Sequence, residues 1–116
     1  MTFNYSTSQQ EGITIFTLEG EIIDKNQATA LMEQISNLIA KGKNHIVLEL
    51  SGLRYMNSSG LNVLVNILTK ARNAGGDVTV CSLSKKVEEL LVVTKLDTIF
   101  KILPSVKEAV EKLKVK

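Results

Sequence analysis

His45-Ile46-Val47-Leu48-Glu49-Leu50 is almost continuously apolar, and a second apolar pattern runs from about Ser59 to Asn73. The first segment is rich in branched side chains, which is typical of a central strand covered on both faces. The second repeats apolar residues at three- and four-residue steps, and so predicts a largely buried helix. Its apolar residues are Leu61, Val63, Leu64, Val65, Ile67 and Leu68. A buried strand that leads into such a helix indicates an α/β fold.

Two shorter strands are predicted before this unit. The segment 13–19 alternates apolar and polar residues, which indicates a strand with one buried face that ends at Gly20. Gln10-Glu11-Gly12 predicts a hairpin turn, with Phe3 and Tyr5 in the preceding strand. The chain therefore begins with an antiparallel hairpin.

A first helix is predicted to open at Asp24, which has the capping-box spacing to Gln27. Its apolar stripe consists of Ala28, Leu31, Ile35, Leu38 and Ile39. Lys41-Gly42-Lys43 ends this helix, because Gly42 suits the left-handed conformation of a helix C-terminus.

The remaining sequence continues to alternate between strand and helix. It predicts a turn over 74–77, a strand over 78–81, a helix from Ser84 to about Thr94, a strand over 98–102 and a final helix that Ser105 and Glu108 cap. The order β-β-α-β-α-β-α-β-α predicts right-handed crossovers. We therefore expect one α/β domain over residues 1–116, with a mostly parallel mixed sheet, an N-terminal hairpin and four helices.

Composition narrows the classes of function. The net charge of +2 over 116 residues is too small for a nucleic-acid footprint, and no apolar run approaches the length of a membrane helix. Cys81 and His45 are the only residues of their types, so we expect no metal site and no cofactor. The N-terminus carries no export pattern. These features favour a cytoplasmic protein without direct nucleic-acid contact or membrane insertion.

The segment Asn57-Ser58-Ser59-Gly60 is a polar loop between a predicted strand and a predicted helix. Functional sites of open α/β sheets lie beyond the carboxyl ends of the strands, which is where this loop falls. Neither Gly60 nor Leu61 can complete a capping box, so we expect free N–H groups there. A phosphate on Ser58 would meet these donors and the helix dipole. The alternative is that Ser58 is an ordinary N-cap.

The run Tyr55-Met56-Asn57-Ser58-Ser59-Gly60-Leu61 resembles the Asp-Ser-Ser/Thr-Gly-Leu signature of STAS domains, the anti-sigma factor antagonists. The similarity covers nearly the whole chain. It also includes Gly20-Glu21-Ile22-Ile23-Asp24 near the Gly-x-Leu-Asp turn, 46–50 before the signature, Gly75-Gly76 and the third-helix pattern over 87–91. The resemblance implies a STAS fold and a partner-switching protein that has no catalytic activity of its own.

The resemblance also implies the partners. In that family the serine that matches Ser58 is phosphorylated by an ATP-dependent anti-sigma factor serine kinase, and a PP2C-type phosphatase removes the phosphate. The unmodified antagonist binds the kinase and frees the sigma factor. In this way it regulates sigma-factor-dependent transcription. Ser59 matches a supporting position. The residues implied in partner binding are Asp24, Met56, Asn57, Ser58, Ser59, Gly60 and Leu61.

Three positions depart from the family pattern. Asn57 replaces an acidic residue, Ile23 is an extra residue before Asp24, and Lys95-Leu96 stands where a Gly-Leu pair is common. One alternative function is a STAS adaptor subunit of a lipid-transport or stressosome-like assembly, in which Ser58 is not phosphorylated. A hydrolase is another alternative, and it would need His45 close to Ser58. Cys81 is interpreted as a buried core residue.

Overall fold

The structure is a computed structural model that describes residues 3–114. It contains the strands β1 (Phe3–Gln10), β2 (Ile13–Ile22), β3 (His45–Met56), β4 (Asp77–Cys81) and β5 (Lys101–Leu103). The α-helices are α1 (Thr29–Ala40), α2 (Ser58–Asn73), α3 (Lys85–Val93) and α4 (Val106–Lys114). Short 3₁₀ turns at Lys25–Ala28 and Leu96–Thr98 precede α1 and β5.

The strands form one five-stranded sheet in the order β1-β2-β3-β4-β5. β1 pairs antiparallel with β2, and the other neighbouring strands pair in parallel. This arrangement confirms the predicted α/β class, the mostly parallel mixed sheet with an N-terminal hairpin, and the four helices.

Both faces of the sheet are packed. On one face, Phe16 and Leu48 belong to a buried cluster to which α1, α2 and α3 contribute Leu31, Ile35, Leu64, Ile67, Val87 and Leu91. On the other face, Ile15 and Val47 pack with α4, through Ala109, Val110 and Leu113. Neighbouring residues of β2 and β3 point to opposite faces, so these strands are covered on both sides. For β3 this confirms the prediction from its near-continuous apolar sequence. For β2 the expectation of a single buried face is wrong, because α4 covers its second face and residues 13–16 are all buried.

Two strands are longer than predicted. β2 continues past Gly20 to Ile22, and β3 continues through the segment 51–56, which was expected to be a loop. The two extensions pair with each other, with Ile22 opposite Met56, across shifts in register. Leu53 and Met56 are fully buried, so core packing holds a segment whose polar and glycine residues suggested a loop.

The last strand and the first helix also differ from their predicted bounds. β5 covers Lys101–Leu103 rather than 98–102, because the backbone N–H groups of Thr98 and Ile99 instead close a 3₁₀ turn. The capping box of Asp24 and Gln27 forms as predicted, but it opens the 3₁₀ turn Lys25–Ala28, and the α-helix begins afterwards. Gly42 has the left-handed conformation expected of it, with φ +83°.

Candidate functional site

The carboxyl ends of β2 and β3 lie side by side, and the two segments that follow them form the candidate site. Asn57 directly follows β3, and its backbone N–H donates to the carbonyl oxygen of Ile22 at 3.2 Å. The residues after Ile22, which we call the Asp24 turn (residues 23–27), are therefore held beside the start of α2. Topology brings together two segments that are far apart in sequence.

Asn57 is the N-cap of α2. Its Oδ1 accepts from the Gly60 N–H at 3.2 Å, and its carbonyl oxygen accepts from the Leu61 N–H at 2.9 Å. The alternative in which Ser58 caps the helix is therefore wrong. The Gly60 N–H, which was expected to be free, is taken up by the cap.

Ser58 is the first residue of α2, and its side chain is exposed, while Ser59 is half-buried. Within residues 3–114, neither the Ser58 hydroxyl nor the backbone N–H groups of Ser58 and Ser59 form an intramolecular hydrogen bond. The Ser58 hydroxyl is thus accessible to another protein, next to two unpaired donors at the positive end of a helix dipole.

Three residues expected on the partner-binding surface are instead in the interior. Met56 is 0% exposed and Leu61 is 8% exposed. Gly60 is buried, and a Cβ on it would stand 2.6 Å from the Ile22 carbonyl oxygen. These three residues were expected in partner binding, whereas in the structure all three are buried.

The Asp24 turn is fixed by its capping box. The Asp24 carboxylate accepts from the Asn26 N–H at 2.9 Å, and Gln27 Oε1 accepts from the N–H groups of Asp24 and Ile23 at 3.0 and 2.8 Å. Gln27 Nε2 also donates to the Glu21 carbonyl oxygen at 3.1 Å. Asp24 remains exposed, so its carboxylate is available at the surface beside α2.

A basic residue of α3 reaches the same edge of the sheet. Lys86 Nζ lies 5.3 Å from the centroid of the Tyr55 ring, within the range of a cation–π contact. Ser84, the N-cap of α3, donates its hydroxyl to the Leu53 carbonyl oxygen at 3.4 Å. Sequence analysis missed the Tyr55–Lys86 pair, because only the register of β3 and α3 brings them together.

The other chemistry-bearing residues lie elsewhere. Cys81 is buried, and desolvation raises the pKa of its thiol to about 11, consistent with a core residue. His45 begins β3 whereas Ser58 follows its end, so the two lie at opposite ends of the strand and do not form the Ser–His pair of a hydrolase. Over the described range 3–114, no three His, Cys, Asp or Glu side chains are grouped to hold a metal ion, and no helix is long and apolar enough to span a membrane.

The sequence and the structure of the chain are both similar to those of known proteins of one family. The sequence profile described as "STAS domain" matches residues 4–109. An anti-sigma F factor antagonist of Paenibacillus polymyxa is 31% identical over 105 residues, which cover 90% of this chain and 86% of that protein. A crystal structure from Thermotoga maritima, described as that of a proposed anti-sigma factor antagonist, superposes with a TM-score of 0.85 at 28% identity. It covers 96% of this chain and 95% of that one.

Two further structures are those of the Bacillus anti-sigma factor antagonist SpoIIAA. The unphosphorylated form has a TM-score of 0.75 at 15% identity, and it covers 97% of this chain and 100% of that one. The phosphorylated form has a TM-score of 0.73 at 16% identity, with 94% and 98% covered. At this identity they show a shared fold. Taken with the profile match and the Paenibacillus relative, they lead to one conclusion: the chain belongs to the STAS domain family of anti-sigma factor antagonists.

Proposed function

We propose that this protein is an anti-sigma factor antagonist that works as a phosphorylation-controlled partner switch. When unphosphorylated, it binds an anti-sigma factor serine kinase in the cytoplasm and thereby frees a sigma factor. Phosphorylation of Ser58 by that kinase ends the complex, and a PP2C-type phosphatase resets the cycle. The names of the relatives support the role, and the exposed, unbonded hydroxyl of Ser58 is the observation that carries the proposal.

The start of α2 can accept a phosphate without refolding. A phosphoserine brings about −1.5 to −2 charges and three acceptor oxygens. The backbone N–H groups of Ser58 and Ser59 have no intramolecular partner within residues 3–114, and the helix dipole favours negative charge at this end. The same fold occurs in the phosphorylated and unphosphorylated forms of SpoIIAA, which is consistent with a modification that leaves the architecture unchanged.

Phosphorylation of Ser58 affects the binding of a partner more than it affects the fold of the domain. A protein lying over Ser58 would have to accommodate the added bulk and to desolvate a doubly charged group. A penalty of about 3 kcal/mol weakens binding roughly 150-fold, which is enough to toggle a complex. The switch therefore acts on the interface and leaves the fold intact.

We infer that the docking surface consists of Asp24, Asn57, Ser58 and Ser59. Asp24 and Ser58 are exposed, and Asn57 and Ser59 are half-buried between them. The loop is supported from the interior by three buried residues that do not contact the partner, Met56, Gly60 and Leu61. Asn57 carries no charge, so a cationic side chain of the partner cannot form an ion pair with it.

The test is phosphorylation in vitro. The protein is incubated with Mg-ATP and a candidate anti-sigma factor serine kinase of the histidine-kinase-like ATPase class, and the product is mapped by mass spectrometry. We expect one phosphate at Ser58, its absence in Ser58→Ala, its retention in Ser59→Ala, and its removal by a PP2C-type phosphatase. A wild-type chain that takes no phosphate although it binds the kinase would overturn the proposal and favour the adaptor alternative.

A further inference from the structure

The side-chain amide of Asn57 is hydrogen-bonded at both ends, to two different segments of the chain. Oδ1 accepts from Gly60 N–H in α2, and Nδ2 donates to the Ile23 carbonyl oxygen at 2.9 Å. The backbone N–H of Asn57 adds the bond to Ile22 described above. One residue thus connects the first turn of α2 to the Asp24 turn, 34 positions earlier in the sequence.

Capping the helix does not by itself require an amide. Asp, Ser and Asn are about equally good N-caps, and Asp adds a negative charge that the helix dipole favours. A carboxylate at position 57 could therefore still accept from Gly60. It has no proton to donate to Ile23, and its second oxygen would face that carbonyl oxygen in a half-buried position. Loss of the hydrogen-bond donor in this half-buried position leaves the carbonyl oxygen unsatisfied, which lowers the free energy of unfolding.

Two departures from the family signature meet at this hydrogen bond. One is Asn57 in place of an acidic residue, and the other is Ile23, the extra residue before Asp24. The carbonyl group that accepts from Asn57 belongs to that extra residue. The Ile23 carbonyl group is half-buried, and the Asn57 amide supplies its hydrogen-bond donor.

We propose that Asn57 is a positioning residue, whose amide holds the Asp24 turn in a fixed place beside Ser58. The exposed side chains of Asp24 and Ser58 then form one rigid surface for an incoming protein. The role in docking rests on the proposed function, whereas the coupling of the turn to the helix does not depend on it.

The test is amide hydrogen exchange, measured by NMR on the wild type and on Asn57→Asp. The backbone N–H groups of Asn26 and Gln27 report on the turn, since they donate to Asp24 at 2.9 and 3.0 Å. We expect them to exchange roughly three- to tenfold faster in Asn57→Asp, the effect of losing one hydrogen bond. The Leu61 N–H, which reports on the cap, should keep its wild-type rate.

Asn62→Asp is the matched control, because Asn62 is an exposed residue of α2 and its replacement adds the same charge nearby. It should leave the exchange of the turn unchanged. Wild-type exchange of Asn26 and Gln27 in Asn57→Asp would overturn the proposal, since Asn57 would then act only as a cap.

A second variant keeps the coupling testable if Asn57→Asp folds poorly. Deleting Ile23 removes the acceptor of the Asn57 amide, but it also removes the bond from the Ile23 N–H to Gln27 Oε1, so the deletion is made in both the wild type and Asn57→Asp. The coupling predicts that the deletion lowers the Tm less in Asn57→Asp than in the wild type. An equal fall in both chains would contradict the coupling. If the exchange result holds while Ser58 takes no phosphate, the link between turn and helix stands and the proposed function fails.

Discussion

Gly60 lies so close to Ile22 that a Cβ atom on Gly60 would stand 2.6 Å from the Ile22 carbonyl oxygen and equally close to the Cβ atom of Met56. Backbone and buried side chains on both sides leave no room to move. We expect Gly60→Ala to lower the free energy of unfolding by about 2 kcal/mol, as overpacking of a core does. Urea denaturation measures the change, with Ser59→Ala as the neighbouring control. Equal stability of Gly60→Ala and the wild type would contradict this packing.

Ser58→Asp should weaken kinase binding and leave the fold intact. The side chain is exposed, and a carboxylate at the first position of α2 suits the helix dipole, so the Tm should stay within about 2 °C of the wild type. Ser58→Asn adds similar bulk without charge and serves as the control. Titration calorimetry against the kinase should give a much larger loss of affinity for Ser58→Asp. Tight binding by Ser58→Asp would refute the switch.

Thr14→Val should stabilise the protein. Thr14 is 2% exposed, and its Oγ1 is a buried side-chain oxygen without a hydrogen-bond partner within residues 3–114. Replacing an unpartnered hydroxyl by a methyl group of the same shape removes a desolvation cost, so the free energy of unfolding should rise by about 1 kcal/mol. Thr79→Val is the matched control, because the Thr79 hydroxyl donates to the Ala109 carbonyl oxygen at 3.4 Å. Thr79→Val should not stabilise, and an equal gain in both variants would contradict the explanation.

Asp77 makes stability depend on pH. Burial raises the pKa of its carboxyl group, but hydrogen bonds from Lys101, the Val78 N–H and Arg72 outweigh burial and bring the pKa below its ordinary value of 3.8. A lowered pKa in the folded state gives a contribution that is complete above the unfolded pKa and is lost as pH falls through the folded one.

Asp77→Asn should therefore lower the free energy of unfolding by only about 1 kcal/mol at neutral pH, since the side chains of both cations are nearly half exposed and solvent screens the ion pairs. The difference from the wild type should shrink as the pH falls below about 4. Thermal denaturation over this pH range measures it, with the exposed Asp97 replaced by Asn as control. A difference that stays constant down to pH 2 would show that the carboxylate charge is not the cause.

Cys81 should be unreactive in the folded protein. It is fully buried, and desolvation raises the pKa of its thiol to about 11, so little thiolate exists at pH 8. Iodoacetamide labelling followed by mass spectrometry should show slow modification in buffer and complete modification in concentrated urea. Rapid labelling of the folded chain would contradict the burial.

Much of the fold is predictable from local patterns. The apolar run 46–50 and the stripe of α2 specify a central strand and its covering helix, and each agrees with the structure. The errors arise where tertiary pairing overrides local sequence. Residues 51–56 contain a serine and a glycine that suggest a loop, but pairing with the end of β2 and burial of Leu53 keep them extended.

The candidate site is predictable in part. Its position follows from a polar segment between a strand and a helix, and the exposure of Ser58 agrees with that prediction. Which residues of the site are exposed and which are buried depends on β2 ending beside β3. That contact gives the Asn57 side chain its second hydrogen bond and buries Gly60. The spacing of residues along the sequence does not indicate such a contact.

The length of β3 has a practical use. The strand begins at His45, and the exposed Lys43 lies just before it, whereas Ser58 follows the opposite end of the strand. Lys43→Cys would therefore provide a handle for a fluorophore or a biosensor chip, with the buried Cys81 too shielded to compete for the label. A protein anchored in this way leaves Ser58 accessible, so that binding and release of the proposed kinase partner could be followed in real time.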